Sequence, residues 1–292
     1  GDITAALTGG DDGYADNVLD LLGSSVVTGN VGASSSALTR IDAGVTGESV
    51  TFRNGTTYAE LLDYQGTGTV TFENNADNDS DTRGLGFVGT VDLNSSPSTA
   101  GATLALGNGV DLYTQNADQT HDAKKTTFLA ANDANLRFDG TSTIYGDLGV
   151  ASGSANSSQN FGDIYAGSNG SVVTFKNDVY VSDTTLHVSG TGTVNLEGDL
   201  NGPLNYDADG FVNVGDAQTI TGAVTTSNNS TGTLSFVGSS TTAADIGTSS
   251  SPLKAVNLHG NAGTSALAVT GDDEVSNVGH NIFADTINVG AD

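Results

Sequence analysis

The chain of 292 residues contains 40 glycines, three prolines and no cysteine, methionine or tryptophan, a composition far from that of an ordinary soluble enzyme. Eight basic residues against 34 acidic ones leave a formal net charge of −26, which disfavours contact with phosphate backbones, so nucleic acid is not expected as a partner. The lack of cysteine removes disulfides, thiol catalysis and thiolate metal sites, leaving packing, backbone hydrogen bonds and hard cations bound by oxygen to hold the fold.

With no methionine anywhere, the chain is expected to be a processed form or an excised piece. No apolar run approaches the roughly 20 residues of a spanning helix, so no membrane insertion is expected of this segment.

In chain order, residues 2–8, with Ile3 and Leu7, read as a strand. The stretch Thr57–Tyr64 is the best candidate for an amphipathic helix, but it is short and reads equally as a strand or loop. Short alternations then recur: Val50-Thr51-Phe52, Val70-Thr71-Phe72, Leu104-Ala105-Leu106, Val173-Thr174-Phe175, Val179-Tyr180-Val181, Leu186-His187-Val188, Val194-Asn195-Leu196 and Leu234-Ser235-Phe236. Each places two apolar side chains on one face with a different residue between them, the period of a half-buried strand. Phe52, Phe72, Phe138, Phe175 and Phe236 fall on the apolar side and are expected to stack inside. Gly, Asn, Asp and Ser clusters separate the strands as turns require. Residues 282–289, with Ile282, Phe283, Ile287 and Val289, read as a final strand.

Strands this short fit the rungs of a solenoid better than a sandwich or propeller. Residues 19–25 align with 234–240, and 31–38 with 246–253, at a constant offset of 215; nine of the 24 positions from Leu19 to Asp42 are identical. The expected fold is all-β, a single parallel β-helix domain over 1–292, with diverged repeats at 19–44 and 232–260. At about 20 to 25 residues per coil it would be an elongated rod of about a dozen rungs stacked at roughly 4.8 Å.

Residues 232–260, GTLSFVGSS followed by ADIGTSSSPLKAVNLHG, resemble the passenger repeats of rickettsial outer membrane protein B and related autotransporter surface proteins, and 19–44 carry a weaker copy. The resemblance implies an exported, processed β-helical layer or adhesin protein on the surface of a Gram-negative cell. The C-terminal membrane barrel of that family has no counterpart in this sequence.

The sharpest local motif runs from Asn205 to Asp216. Asn205, Asp207 and Asp209 stand at positions 1, 3 and 5, Gly210 at 6, the Phe211 carbonyl at 7 and Asp216 at 12, the order of oxygen ligands in a calcium loop. The same residues also read as a solvated Asx-rich turn. Asp77, Asp79 and Asp81 form a weaker acidic alternation without the glycine. Calcium is the one cofactor these motifs suggest. The four histidines, His121, His187, His259 and His280, show no metal-ligand spacing.

The basic residues are scattered and no carboxylate pair stands out, so an enzyme is not expected; a polysaccharide-acting β-helix enzyme is the least favoured reading. Stacked coils leave unpaired edges at the first and last rung. Strand-like ends at Ile3 and Leu7, and at Ile282, Phe283, Ile287 and Val289, therefore predict a homopolymer, a surface fibre, sheath or layer formed end to end. An adhesin binding a host protein or glycan is the alternative.

Overall fold

The computed structural model describes residues 3–4, 17–73, 86–93, 101–114, 125–129, 134–151, 160–181, 184–259, 267–269 and 280–290. Leu7, Asp77, Asp79, Asp81 and His121 lie outside them. Among the described residues there is no helix, and the strands pair in parallel throughout their sheets. Neighbouring parallel strands cannot be joined by tight hairpins, so the chain makes a full circuit between them. The fold is a parallel β-helix. It divides into two compact units, Gly1–Gly162 and Asp163–Asp292.

In the first unit, one sheet takes Ile3–Thr4, Ser25–Thr28, Ser49–Arg53, Thr69–Glu73, Thr103–Leu106 and Asn135–Phe138, one strand per coil. Alternation turns the flanking apolar residues of each triplet inward, and the in-register pairing sets like on like. Val50 meets Val70, then Leu104 and Leu136; Phe52 meets Phe72, then Leu106 and Phe138. All eight are at most 1% exposed, and the Phe52 and Phe72 rings stack at 5.1 Å. Each such side chain contributes roughly 1.5 to 3 kcal/mol by leaving water.

A second sheet of this unit holds Val18–Asp20, Leu38–Ala43, Thr57–Tyr64, Phe87–Asp92 and Thr126–Leu129. Thr57–Tyr64 is thus a strand. Its buried residues are Thr57, Ala59, Leu62 and Tyr64. The gap of three between Ala59 and Leu62 marks a register irregularity, and it is this gap that imitates a helical spacing. Tyr64 is fully buried, and its hydroxyl donates to the Thr103 carbonyl at 3.0 Å. Burial pushes that phenol far above its usual pKa, which keeps it a neutral donor.

In the second unit, Ile164–Ala166, Leu186–Val188, Leu204–Tyr206 and Val224–Thr226 form one sheet, continued by the single bridges of Val224 to Ile246 and Ile246 to Ile282. A second sheet runs Val179–Tyr180, Leu200–Asn201, Thr219–Ile220, Ser240–Thr242 and Leu267–Val269. A third runs Val172–Phe175, Thr193–Leu196, Phe211–Val214, Thr231–Val237, Leu253–His259 and Ala284–Gly290.

The two aligned sequence segments have the same local geometry. Ala33 and Ser36 exchange backbone hydrogen bonds at 3.0 Å each, and Thr248 and Ser251, 215 residues on, do so at 3.0 and 3.2 Å. Gly32 and Gly247 precede these turns with φ of 69° and 71°, a region closed to most L side chains. Val31 bridges Thr57 as Ile246 bridges Ile282, and the carbonyls of Val31 and Ile246 accept at 2.7 Å from Tyr58 and Phe283. The strands that follow repeat the register: Leu38 on Ala59 and Ile41 on Leu62 in one unit, Leu253 on Ala284 and Val256 on Ile287 in the other.

Candidate functional site

Two interior columns of the second unit lead to the last described strand. Val173, Val194, Val212, Leu234 and Val256 are stacked in register, as are Phe175, Leu196, Val214 and Phe236. Every one of them is at most 1% exposed. The first column ends on Ile287, 51% exposed, and the second runs on through the half-buried Leu258 to Val289, 78% exposed. Core positions therefore lie open at this edge because no described strand follows.

A polar ladder runs along the outer face of the same sheet. Asn195 donates its amide to Thr174 Oγ1 at 3.2 Å, and Asn213 to Asn195 Oδ1 at 2.9 Å. Asn257 donates to Ser235 Oγ at 3.2 Å, and Asn288 to Asn257 Oδ1 at 2.8 Å. Each amide reaches back to an earlier coil.

Of the predicted end residues, Ile3 pairs with Val27 at the first edge. Ile282 forms its bridge to Ile246, and Phe283 is fixed through both backbone groups, donating to Ile246 and accepting from Leu253 at 3.0 Å. Ile287 and Val289 are the two exposed members. At the other edge, Val18–Asp20 is the first strand of its sheet and pairs with Arg40 to Asp42.

The predicted calcium residues are distributed over two strands and two turns. Asn205 lies in Leu204–Tyr206 and donates to Asp207 Oδ1 at 2.6 Å and Ser227 Oγ at 2.9 Å. Asp207 Oδ2 meets His187 Nδ1 at 2.9 Å. Asp209 accepts from Lys254 Nζ at 2.6 Å and from the Gly232 amide at 3.2 Å, tying three coils together. Phe211 has its backbone in register between Thr193 and Thr233. Asp216 lies beyond the strand Phe211–Val214 and accepts from the Ser239 amide at 2.7 Å. The structure thus brings Asn205 and Asp207 together and sends Asp209 and Asp216 to other partners. Among the described residues no three His, Asp or Glu side chains are grouped to hold a metal.

Two polar clusters had no local motif to reveal them. Asp163, Tyr165, His187 and Asp207 meet on successive coils: the Tyr165 and His187 rings stack at 4.8 Å, and His187 Nε2 lies 3.6 Å from Asp163 Oδ1. Burial and the two carboxylates raise the Tyr165 pKa. In the first unit Asp20, Asp42, Asp63 and Asp92 share one register on adjacent strands. The signal for both was a separation near one coil length, readable only once the register is known.

No known protein family matches the chain, and neither a curated protein nor a solved structure matches it. No helix among the described residues is long and apolar enough to cross a membrane.

Proposed function

We propose that the protein is a structural, non-catalytic surface protein whose β-helical copies associate end to end into a fibre, sheath or layer through the open edge Ala284–Gly290. The observation that carries this reading is the exposure of Ile287 and Val289 at the end of columns that are sealed from water up to Val256 and Phe236 and, in the Val289 column, half-buried at Leu258. Unpaired donors and acceptors on such an edge are a template for another strand. An exported cell-surface location is part of the proposal, supported by the likeness of residues 232–260 to autotransporter passenger repeats.

Sedimentation and electron microscopy of the purified chain test it, with Val289→Lys as the comparison. Val289 is largely in water, so lysine leaves the monomer folded by circular dichroism while placing a charge in the joint. Ordered assemblies from the unsubstituted chain, lost in the variant, are expected. Monodisperse monomers of the unsubstituted chain at high concentration would refute the reading.

The adhesin reading has one observation of its own, the Tyr165 and His187 stack flanked by Asp163 and Asp207, a surface with the ring face and hydrogen-bonding groups that a sugar needs. Glycan binding by stable monomers, abolished by Tyr165→Ala, would favour it instead.

A further inference from the structure

The internal repeat specifies what the open edge is built to receive. By the shared turn, glycine and register, Val18–Asp20 is the counterpart of residues 233–235, Leu38–Ala43 of residues 253–258, and Thr57–Tyr64 of residues 282–289. Ser25–Thr28 is likewise the counterpart of the sheet position that holds Ser240–Thr242. The sheet that begins with Val18–Asp20 therefore corresponds to the sheet that ends with Ala284–Gly290. The sheet that begins with Ile3–Thr4 corresponds to the sheet that ends with Leu267–Val269.

Chain order is in phase as well. The last described strands alternate between these sheets as Ser240–Thr242, Leu253–His259, Leu267–Val269 and Ala284–Gly290; the first do so as Ile3–Thr4, Val18–Asp20, Ser25–Thr28 and Leu38–Ala43. The first coil is thus of the kind that would come next after Gly290. Resting on the end-to-end reading above, we propose that the occupant is a second copy of this chain, with Val18–Asp20 seated in register on Ala284–Gly290, Leu19 on Ile287 and Asp20 on Asn288, and with Ile3–Thr4 on Leu267–Val269.

The chemistry of the joint is complementary. Leu19 follows Ile287 in the apolar column, as Ile41 follows Leu19 within the first unit. An amide nitrogen carries two hydrogens, and Asn288 spends one on Asn257. The second can meet the Asp20 carboxylate, which only accepts, so the direction of donation reverses at the junction.

Because the chain has no cysteine, introduced pairs report the register directly. The test is oxidation of assembled Asp20→Cys/Asn288→Cys chains, compared with Thr4→Cys/Asn288→Cys, which reports a joint rotated by one sheet. Covalent ladders of multimers from the first pair, at least several-fold above the second, are expected. Assembly in which the second pair cross-links better, or neither does, overturns this joint and leaves the end-to-end reading standing. Chains that stay monomeric at high concentration overturn both and assign the edge to a different occupant.

Discussion

Asp42 and Asp63 occupy the same register on adjacent parallel strands, and one amide holds them together: Gln65 Nε2 donates to Asp42 Oδ1 at 3.2 Å and to Asp63 Oδ2 at 3.0 Å. Arg40 adds a fork onto Asp42 at 2.9 Å. Burial nevertheless raises the Asp42 pKa, against the pull of Arg40, and a hydrogen bond with Asp20 and the charge of Asp63 raise it further. A carboxyl whose pKa is higher folded than unfolded favours the fold most in its protonated form. Its contribution is full below the unfolded value of about 3.9 and is lost as pH rises through the folded value. Asp63→Asn keeps an acceptor for Gln65 and removes the like charge. It should stabilise the fold near neutral pH by about 0.5 to 1 kcal/mol, with the gain disappearing below about pH 4. Urea unfolding at the two pH values measures this; a gain that persists in acid would show that charge is not its source.

The turn glycines give a sharper test of the repeated module. A Cβ on Gly247 would stand 2.2 Å from the Phe283 carbonyl oxygen, and one on Gly32 would stand 2.3 Å from that of Tyr58. Both residues also have positive φ. Gly247→Ala should therefore cost about 2 kcal/mol or more by strain and backbone displacement, whereas Gly47→Ala meets no atom within 4 Å and should cost about 1 kcal/mol from its φ of 81° alone. Equal losses of stability in the two variants would remove the close approach as the cause.

The carboxylates of the 205–216 segment already have partners. Asp207, Asp209 and Asp216 are held by a histidine, a lysine and a backbone amide on different coils. We expect these carboxylates to act as clamps between turns, so that thermal unfolding is the same within about 1 °C in calcium and in chelator. Asp209→Ala should lower stability by about 1 kcal/mol through the lost Gly232 and Lys254 bonds. A midpoint several degrees higher in calcium, abolished by Asp207→Ala, would support calcium binding at this segment.

Strand periodicity made the coils legible, because the Val-Thr-Phe triplets carry both the alternation and the residues that stack. Thr57–Tyr64 was ambiguous for a physical reason: the irregularity between Tyr58 and Leu61 replaces one step of two by a step of three. Ala284, Ile287 and Val289 repeat that spacing in register with Leu253, Val256 and Leu258. The side-chain ladders were hidden because coil length varies; the Asn ladder steps by 21, 18, 22 and 31 residues between bonded members. The spacing of residues 205–216 carries the order of calcium ligands but not the conformation between them, which at Phe211–Val214 is an extended strand with Asp216 beyond it.

The direction of the backbone at the open edge permits a substitution that spares the monomer. Gln65 donates to the Ala43 carbonyl at 2.8 Å, and Gly290 is its counterpart over Leu258. Groups of a parallel strand alternate sides, so if Gly290 and Asn288 face Leu253–His259, Val289 and Ile287 direct their amides outward. Val289→Pro then removes an outward donor and no inner bond, a position that proline tolerates. Assembly should fall at least tenfold with little change in unfolding midpoint. Copies of net charge −26 repel one another, and salt screens that repulsion over a Debye length of about 8 Å at physiological strength. Raising salt from about 10 to 150 mM should therefore promote association of the unsubstituted chain and leave the proline variant dispersed. Light scattering across the salt series decides it, and association that weakens with salt would mean that ion pairs, and not the apolar columns and backbone edge, hold the copies together.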